Sequence, residues 1–160
     1  FEQDNYASKK LLDKEARLVS DDNQEALYQN VDVVFPCALE DVLTKDNADK
    51  VKAPFISEGA NNPTTADAHE ILFENGTIVI PDIIANPGGI IAAYVELSSS
   101  ITPEENAKTG AKVSEAKKMT IERVESNVYE LLSYVDSLSA RPDKVGDYIA
   151  YRNIFEGIPS

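Results

Sequence analysis

Three short runs, Val31-Asp32-Val33-Val34-Phe35, Pro54-Phe55-Ile56-Ser57 and Thr77-Ile78-Val79-Ile80, are rich in branched and aromatic residues, and a loop bearing proline, glycine or asparagine cuts each one off. Such side chains fit the pleated surface of a sheet, so each run reads as a strand stopped at its C-terminal end. The closing loops are Phe35-Pro36-Cys37-Ala38-Leu39-Glu40, Ser57-Glu58-Gly59-Ala60-Asn61-Asn62-Pro63-Thr64-Thr65 and Pro81-Asp82-Ile83-Ile84-Ala85-Asn86-Pro87-Gly88-Gly89. Helix signals lie between the strands. Thr44 caps a short helix through Ala48 and Val51; Thr64, with Asp67 three residues on, caps one through Ile71, Leu72 and Phe73 that Asn75-Gly76 ends. Strands alternating with helices make right-handed βαβ units, so the fold class is α/β with a parallel sheet of at least three strands. The third strand is apolar at successive positions and should be covered on both faces. A parallel sheet gathers its post-strand loops along one edge, where such sheets bind ligands.

Helices are expected on either side of this unit. Ser20-Asp21-Asp22-Asn23 caps a short helix through Leu27 and Tyr28, and the apolar stretch Ile90 to Val95 reads as a buried helix ending near Ser98-Ser99-Ser100. Thr102-Pro103-Glu104-Glu105 opens a second, long helical region with a capping box. Its stripe of Val124, Val128, Leu131, Val135 and Leu138 is too short for a coiled coil and suits a helix packed on the sheet. Pro142-Asp143 starts a last helix carrying Val145, Tyr148, Ile149 and Phe155, which Gly157 closes. The character changes near residue 100, and we read 1–100 and 101–160 as two parts of one domain.

A formal charge of -13 over 160 residues argues against nucleic-acid phosphates and anionic membranes as partners. No apolar run approaches the roughly 18 to 20 residues of a membrane span. The lone Cys37 cannot form an internal disulfide, which fits a reducing, cytoplasmic setting. Phe1 rather than Met opens the chain, and the first residues have no signal-peptide pattern, so we expect a processed chain or a piece of a longer one.

Taken one at a time, the chemically interesting residues have plain readings. His69 has no second histidine, cysteine or carboxylate cluster to complete a metal site and is expected at the surface or partly buried. Cys37 has no neighbouring base and suits small-residue packing. Asp82 reads as a loop or helix-cap carboxylate, and Glu104 and Glu105 as helix-terminus charges. Asn61 and Asn86 could simply satisfy nearby backbone groups. No residue is identified as catalytic or as a metal ligand.

Together, the motifs say more. Val31 to Glu40, then Leu43-Thr44 with Asn47-Ala48-Asp49-Lys50, then Glu58-Gly59-Ala60-Asn61 with Pro63-Thr64-Thr65, then Pro81 to Asn86 with Gly88-Gly89, resemble the second half of the dinucleotide domain in the glutamate/leucine/phenylalanine/valine dehydrogenase family. The resemblance runs from about Asp21 to Glu96, with a weaker trace around Tyr148. It implies a partial Rossmann-like three-layer fold followed by C-terminal helices. It also implies part of an NAD- or NADP-dependent enzyme, glutamate dehydrogenase-like, that reversibly deaminates an L-amino acid to a 2-oxo acid and ammonia. By the same resemblance Cys37 and Ala38 flank the nicotinamide ribose, Asn61 reaches that ribose, and Asn86 fixes the nicotinamide carboxamide. Gly88, Gly89, Ile90 and Ala93 fall at the substrate pocket, the glycines allowing close backbone approach.

Departures from the pattern shape the expectations further. Ala93 stands where glutamate-specific members commonly carry a serine, which disfavours a substrate with a side-chain carboxylate. Pro87 replaces an alanine, Asn62 stands where glycine is common, and the segment after Glu96 lacks the usual aromatic residues. The seven glycines form no G-x-G-x-x-G turn for a pyrophosphate, and the family's catalytic lysine and aspartate belong to a separate, unmatched domain. The chain alone is therefore expected to be inactive, with an apolar edge at Val31 to Phe35 that favours self-association, a homo-oligomer. The competing reading is a non-catalytic α/β module serving oligomerisation or regulation.

Overall fold

The computed structural model describes residues 24–157. Its sheet has three strands, β1 (Val33–Val34), β2 (Phe55–Ser57) and β3 (Ile78–Ile80), in the order β1-β2-β3 with both pairs parallel. Val34 lies opposite Ile56, and Ile56 opposite Val79, so one apolar row crosses the sheet. The strands are shorter than the runs that predict them because flanking residues turn into loops where Pro36 and Pro81 remove ladder donors. On the outer side of β1 no strand pairs among the described residues, and Val33 and Phe35 are exposed there.

Consecutive residues of β3 face opposite cores. Val79 joins Val34, Ile56, Leu72, Ala68 and Leu43 on one side. Ile80 joins Ile84, Leu131, Val145 and Ile149 on the other. Both faces are thus covered, as an unbroken apolar strand requires. The first cover is α1 (Ala66–Glu74), capped by Thr65 rather than Thr64: Thr65 Oγ1 accepts from Ala68 N at 3.4 Å. Thr64 is drawn instead into an extended bridge beside Leu43, while Leu43 O accepts from Thr65 N at 2.9 Å. Gly76, at φ +80°, ends α1 in the left-handed conformation that the Asn75-Gly76 pair predicts.

The expected helix after Thr44 is only a 3-10 turn, Ala48–Lys50. The Asn47 side chain explains the tight turn: its Oδ1 accepts from Thr44 N at 2.7 Å and its Nδ2 donates to Val42 O at 2.9 Å. A second 3-10 turn covers Glu25–Tyr28; the cap expected at Ser20 to Asn23 lies outside the described residues.

Five helices follow β3: α2 (Asp82–Ala85), α3 (Gly88–Ser98), α4 (Pro103–Thr109), α5 (Ala111–Leu138) and α6 (Pro142–Phe155). Thr102 caps α4 by accepting from Glu105 N at 3.2 Å, and Gly110, at φ +63°, breaks the helical region before α5. The stripe on α5 is partly buried: Leu131 is inaccessible, Val128 and Val135 pack on the second core, and Leu138 is exposed. Gly146 lets α6 approach the β3 loop, since a Cβ there would stand 3.0 Å from Pro81 Cγ and 3.3 Å from Ile83 Cγ2. Arg152 fastens α6 to α5 through Glu130 and the Tyr134 hydroxyl.

One expectation fails. The Ile90 to Val95 helix forms, but it is not buried: Val95 is covered, whereas Ile90 is 79% and Leu97 88% exposed. The helix packs against α5, and Lys112 Nζ reaches Glu96 O (3.0 Å) and Oε1 (3.1 Å) there. A helix with apolar residues on most of its sides needs several neighbours to be buried, and α5 covers only one side of it.

Candidate functional site

Backbone bonds sew the loops beyond the three strands into one surface. Pro36 O accepts from Gly59 N (3.0 Å) and Ala60 N (2.9 Å), tying the β1 and β2 loops together. Asn62 O accepts from Asp41 N at 2.9 Å, and Pro63 O from Leu43 N at 2.9 Å. Asn62 sits at φ +44°, a left-handed angle that asparagine tolerates, which explains how it can stand where glycine is common. Gly59 is needed for a different reason: a Cβ would lie 2.5 Å from Cys37 Sγ. We expect Gly59→Ala to destabilise the chain by roughly 1–2 kcal/mol, with Cys37→Ala in the same chain recovering most of that. Denaturation of both single variants and the double variant measures the coupling; purely additive costs would contradict the contact.

The β3 loop joins through side chains. Asp82 N donates to Glu58 Oε2 at 2.8 Å, and in return Asp82 Oδ2 accepts from Asn62 N at 2.9 Å. Asp82 Oδ1 also accepts from Ile83 N at 2.7 Å; Asp82 is the first residue of α2 and Pro81 holds the cap position, so this carboxylate ties loops together rather than capping the helix. Asn86 closes α2, its N donating to Asp82 O at 2.7 Å, and its Nδ2 donates to Asn61 Oδ1 at 3.1 Å.

These bonds shape a cleft of about 450 Å³ lined by Cys37, Ala38, Leu39, Glu40, Gly59, Ala60, Asn61 and Asn86. The four residues singled out for cofactor contact therefore lie together, although they come from three loops. The bond between the amides uses one donor of Asn86 and one acceptor of Asn61. A carboxamide has two donors and an acceptor, so each side chain keeps polar groups for a ligand. Gly88, Gly89, Ile90 and Ala93 are not in this cleft; they lie on the first turns of α3, where Ile90 and Ala93 are exposed. Gly88 instead borders an apolar hollow with Ala92, Val113, Ala116, Thr120 and Ile121, and a Cβ on Gly89 would meet nothing within 4 Å. Neither glycine is required by a contact among the described residues.

A second cavity, of about 320 Å³, lies behind the Glu58–Asp82 bond and is lined by Glu58, Thr64, His69, Asp82, Asp143 and Asp147 among others. The Glu58 side chain is 2% exposed, and its Oε1 lies 3.4 Å from His69 Nε2. Burial pushes the carboxyl up to about 7, and the Asp82 and Asp143 carboxylates push the same way, against the Thr64 hydroxyl and the Asp82 N–H. Burial likewise holds His69 below the usual histidine value, although Asp143 pulls it up. Burial alone would raise Asp143, but two hydrogen bonds from Arg141, at 3.0 and 2.7 Å, keep it below the usual carboxylate range.

The Glu58 pair is absent from the sequence reading, which gives His69 no partner. The signal for it was the period-2 alternation that places Glu58, two residues past Ile56, on the same inward side. A raised carboxyl stabilises the fold fully below its unfolded value and loses that as pH rises through its folded one, here between about 4.5 and 7. The depressed His69 works in reverse, its contribution present above its unfolded value and lost as pH falls. Among the described residues no group of three or more His, Cys, Asp or Glu side chains could hold a metal ion. No helix there is long and apolar enough to cross a membrane.

Comparison with known proteins supplies the context for this cleft. Residues 3–138 match the family model described as glutamate/leucine/phenylalanine/valine dehydrogenase. An NADP-specific glutamate dehydrogenase of Saccharolobus shibatae is 46% identical over 112 residues, covering 69% of this chain and 25% of that protein. A glutamate dehydrogenase of Aeropyrum pernix is 47% identical over 89 residues, 52% of this chain and 21% of that one. The chain thus spans about a quarter or less of the length of these curated relatives. The L-tryptophan dehydrogenase of Nostoc punctiforme superposes with a TM-score of 0.69 at 20% identity, over 84% of this chain and 37% of that one. The hetero-hexameric glutamate dehydrogenase of Thermus thermophilus does so with a TM-score of 0.65 at 19% identity, over 97% of this chain and 37% of that one. At such identities these two structures speak for the fold alone, a Rossmann-like α/β arrangement. With a match through residues 3–138 and a parallel sheet whose loops converge on one cleft, the chain belongs to the glutamate/leucine/phenylalanine/valine dehydrogenase family.

Proposed function

We propose that this chain forms the nicotinamide-side wall of an NAD(P)-dependent amino-acid dehydrogenase, glutamate dehydrogenase-like. The reaction is the reversible oxidative deamination of an L-amino acid to a 2-oxo acid and ammonia. The observation that carries this reading is the convergence of Cys37, Ala38, Asn61 and Asn86 in one cleft, with the two amides in direct contact. The donor set fits the cofactor: a carboxamide presents one acceptor and one donor group, and Asn86 retains both kinds after bonding Asn61. Asn86 holds the nicotinamide carboxamide, Asn61 the adjoining ribose, and Cys37 with Ala38 offers backbone groups beside them. When bound, the nicotinamide ring supplies the hydride acceptor or donor. What this chain contributes is orientation: two amides in one bonded pair have little freedom to turn, which fixes the ring face presented to the substrate.

Gly88, Gly89, Ile90 and Ala93 border the substrate, and the exposed side of α3 is where the substrate-bearing part of the parent protein closes. Ala93 has no side-chain donor, so this chain offers no contact there to a substrate side-chain carboxylate, and a neighbouring domain would have to supply one. Residues 1–100 and 101–160 form one domain of a cytoplasmic homo-oligomer. Because the chain lacks a pyrophosphate turn and a catalytic lysine, it is inactive by itself.

A chimera tests the reading: residues 24–98 replace the matching segment of the Saccharolobus shibatae protein. The chimera is expected to reduce NADP with an amino acid while the 160-residue chain gives no turnover; a correctly folded chimera that neither binds cofactor nor turns over would contradict it. Sedimentation tests the association. With Val33 39% and Phe35 63% exposed on an edge that no strand pairs among the described residues, dimers or larger species are expected at high concentration, and a clean monomer would sink that expectation.

A further inference from the structure

The Glu58–Asp82 bond is the hinge point between the loops that carry Asn61 and Asn86, and the group making it is a buried carboxyl with a histidine behind it. Glu58 Oε2 takes the Asp82 N–H at 2.8 Å, and Asp82 Oδ2 takes the Asn62 N–H at 2.9 Å. The two bonds are reciprocal, and they fix Asn61 next to Asn62 and Asn86 at the end of the turn that Asp82 begins. The other oxygen, Oε1, is fully buried and makes no hydrogen bond of ordinary geometry, and neither does Thr64 Oγ1; the Thr64 hydroxyl is close enough to favour the charged carboxyl, but less strongly than burial opposes it. Its near neighbour is His69 Nε2, 3.4 Å away.

We propose that Glu58 is a positioning residue of the amide wall that acts as a neutral carboxylic acid, its Oε1–H directed at His69 Nε2 while its Oε2 accepts from Asp82. A neutral acid satisfies the otherwise unpaired Oε1 and gives the imidazole a donor. A carboxylate would leave a charge with no cation bonded to it, in a cavity of about 320 Å³ that also holds other acids. The charged groups around the pair are Asp82 from α2, Arg141, Asp143 and Lys144 at the start of α6, and Asp147 one turn further along it. Arg141 and Lys144 are engaged by Asp143, and Arg141 also by Glu70, so neither is bonded to Glu58. Burial favours the uncharged form of both partners, pushing the Glu58 carboxyl up to about 7 and His69 down, which puts the proton on the carboxyl.

Loss of that proton above neutrality strengthens the bond from the Asp82 N–H but places a negative charge beside the Asp82 and Asp143 carboxylates, and the balance of the two shifts the loops. The orientation of Asn61 and Asn86 then follows the protonation of a residue that does not itself touch the cleft. That this wall meets nicotinamide rests on the function proposed above; the proton-dependent bond does not, and it is tested without cofactor.

The test is a pH titration of the 160-residue chain by NMR, reading the Glu58 side-chain carboxyl carbon, the Asp82 and Asn62 amides and the side-chain amides of Asn61 and Asn86. All should titrate with one midpoint near 7. His69→Ala discriminates between arrangements. Removing an acceptor of the Glu58 proton lowers the midpoint, by about one unit or more, whereas removing a cationic partner from a Glu58 carboxylate would raise it. Glu58→Gln, which mimics the neutral acid, should abolish the shared titration and leave the Asn61 and Asn86 signals in their low-pH positions. Three results would overturn the proposal: a Glu58 midpoint near the ordinary carboxylate value, Asn61 and Asn86 signals that do not follow it, or an upward shift in His69→Ala. If Glu58→Gln fails to fold, the unmodified chain and His69→Ala still decide.

Discussion

Replacing Asn86 by alanine in the chimera that carries this segment is expected to lower kcat/KM for the nicotinamide cofactor roughly 30- to 100-fold, about 2–3 kcal/mol. The estimate follows from two losses. Alanine removes the groups that hold the carboxamide, and it removes the 3.1 Å bond that steadies Asn61. Asn61→Ala should cost less, about tenfold, because Asn86 retains its place at the end of α2 through the 2.7 Å bond from its backbone to Asp82. The double variant should lose less than the product of the two single losses, since each partner's orientation depends on the other. Steady-state kinetics of the three variants measures this. Unchanged turnover and cofactor affinity in both single variants would undo the assignment of these amides.

The second large effect is on stability. Leu131 is inaccessible and sits where α5 meets β3 and α6, in the core built by Ile80, Ile84, Val145 and Ile149. Leu131→Ala leaves a void that β3, held in the sheet, cannot collapse into, so a loss of about 2–5 kcal/mol is expected. That core is shared by the sheet and the C-terminal helices. If residues 1–100 and 101–160 form one domain, thermal unfolding of the variant remains a single transition at lower temperature. Two separated transitions, with only the later helices destabilised, would show two units instead.

How much of this was legible beforehand differs from element to element. The strands were readable because short branched runs followed by Pro36, Gly59 and Pro81 leave few alternatives, and the double cover of β3 followed from its apolar neighbours Val79 and Ile80. The helix cap at Thr102 was similarly local, whereas the break at Gly110 was not read: the region from Thr102 was expected as one long helical stretch, and the left-handed turn at Gly110 divides it. Thr65 displaced Thr64 as a cap because a non-local bridge to Leu43 claimed the earlier threonine, which no window around residue 64 reveals. The exposure of Ile90 and Leu97 escaped notice for a related reason: an apolar helix looks buried in sequence whether or not its neighbours are part of the chain. The cleft was legible as a set of loops, and its residues as a resemblance, but not the bond between Asn61 and Asn86. Glu58 stayed hidden because a glutamate after a strand is usually at the surface. Only the meeting of β2 with α1 and α2 brings His69 and Asp82 to it.

The most direct test of the central claim adds nicotinamide mononucleotide to the isotope-labelled 160-residue chain and maps the amide signals that move. The account predicts shifts at Ala38, Gly59, Ala60 and the side-chain amides of Asn61 and Asn86, growing with ligand up to millimolar concentration. Signals that stay fixed there, or that move only around Thr64, His69 and Asp143, would contradict it.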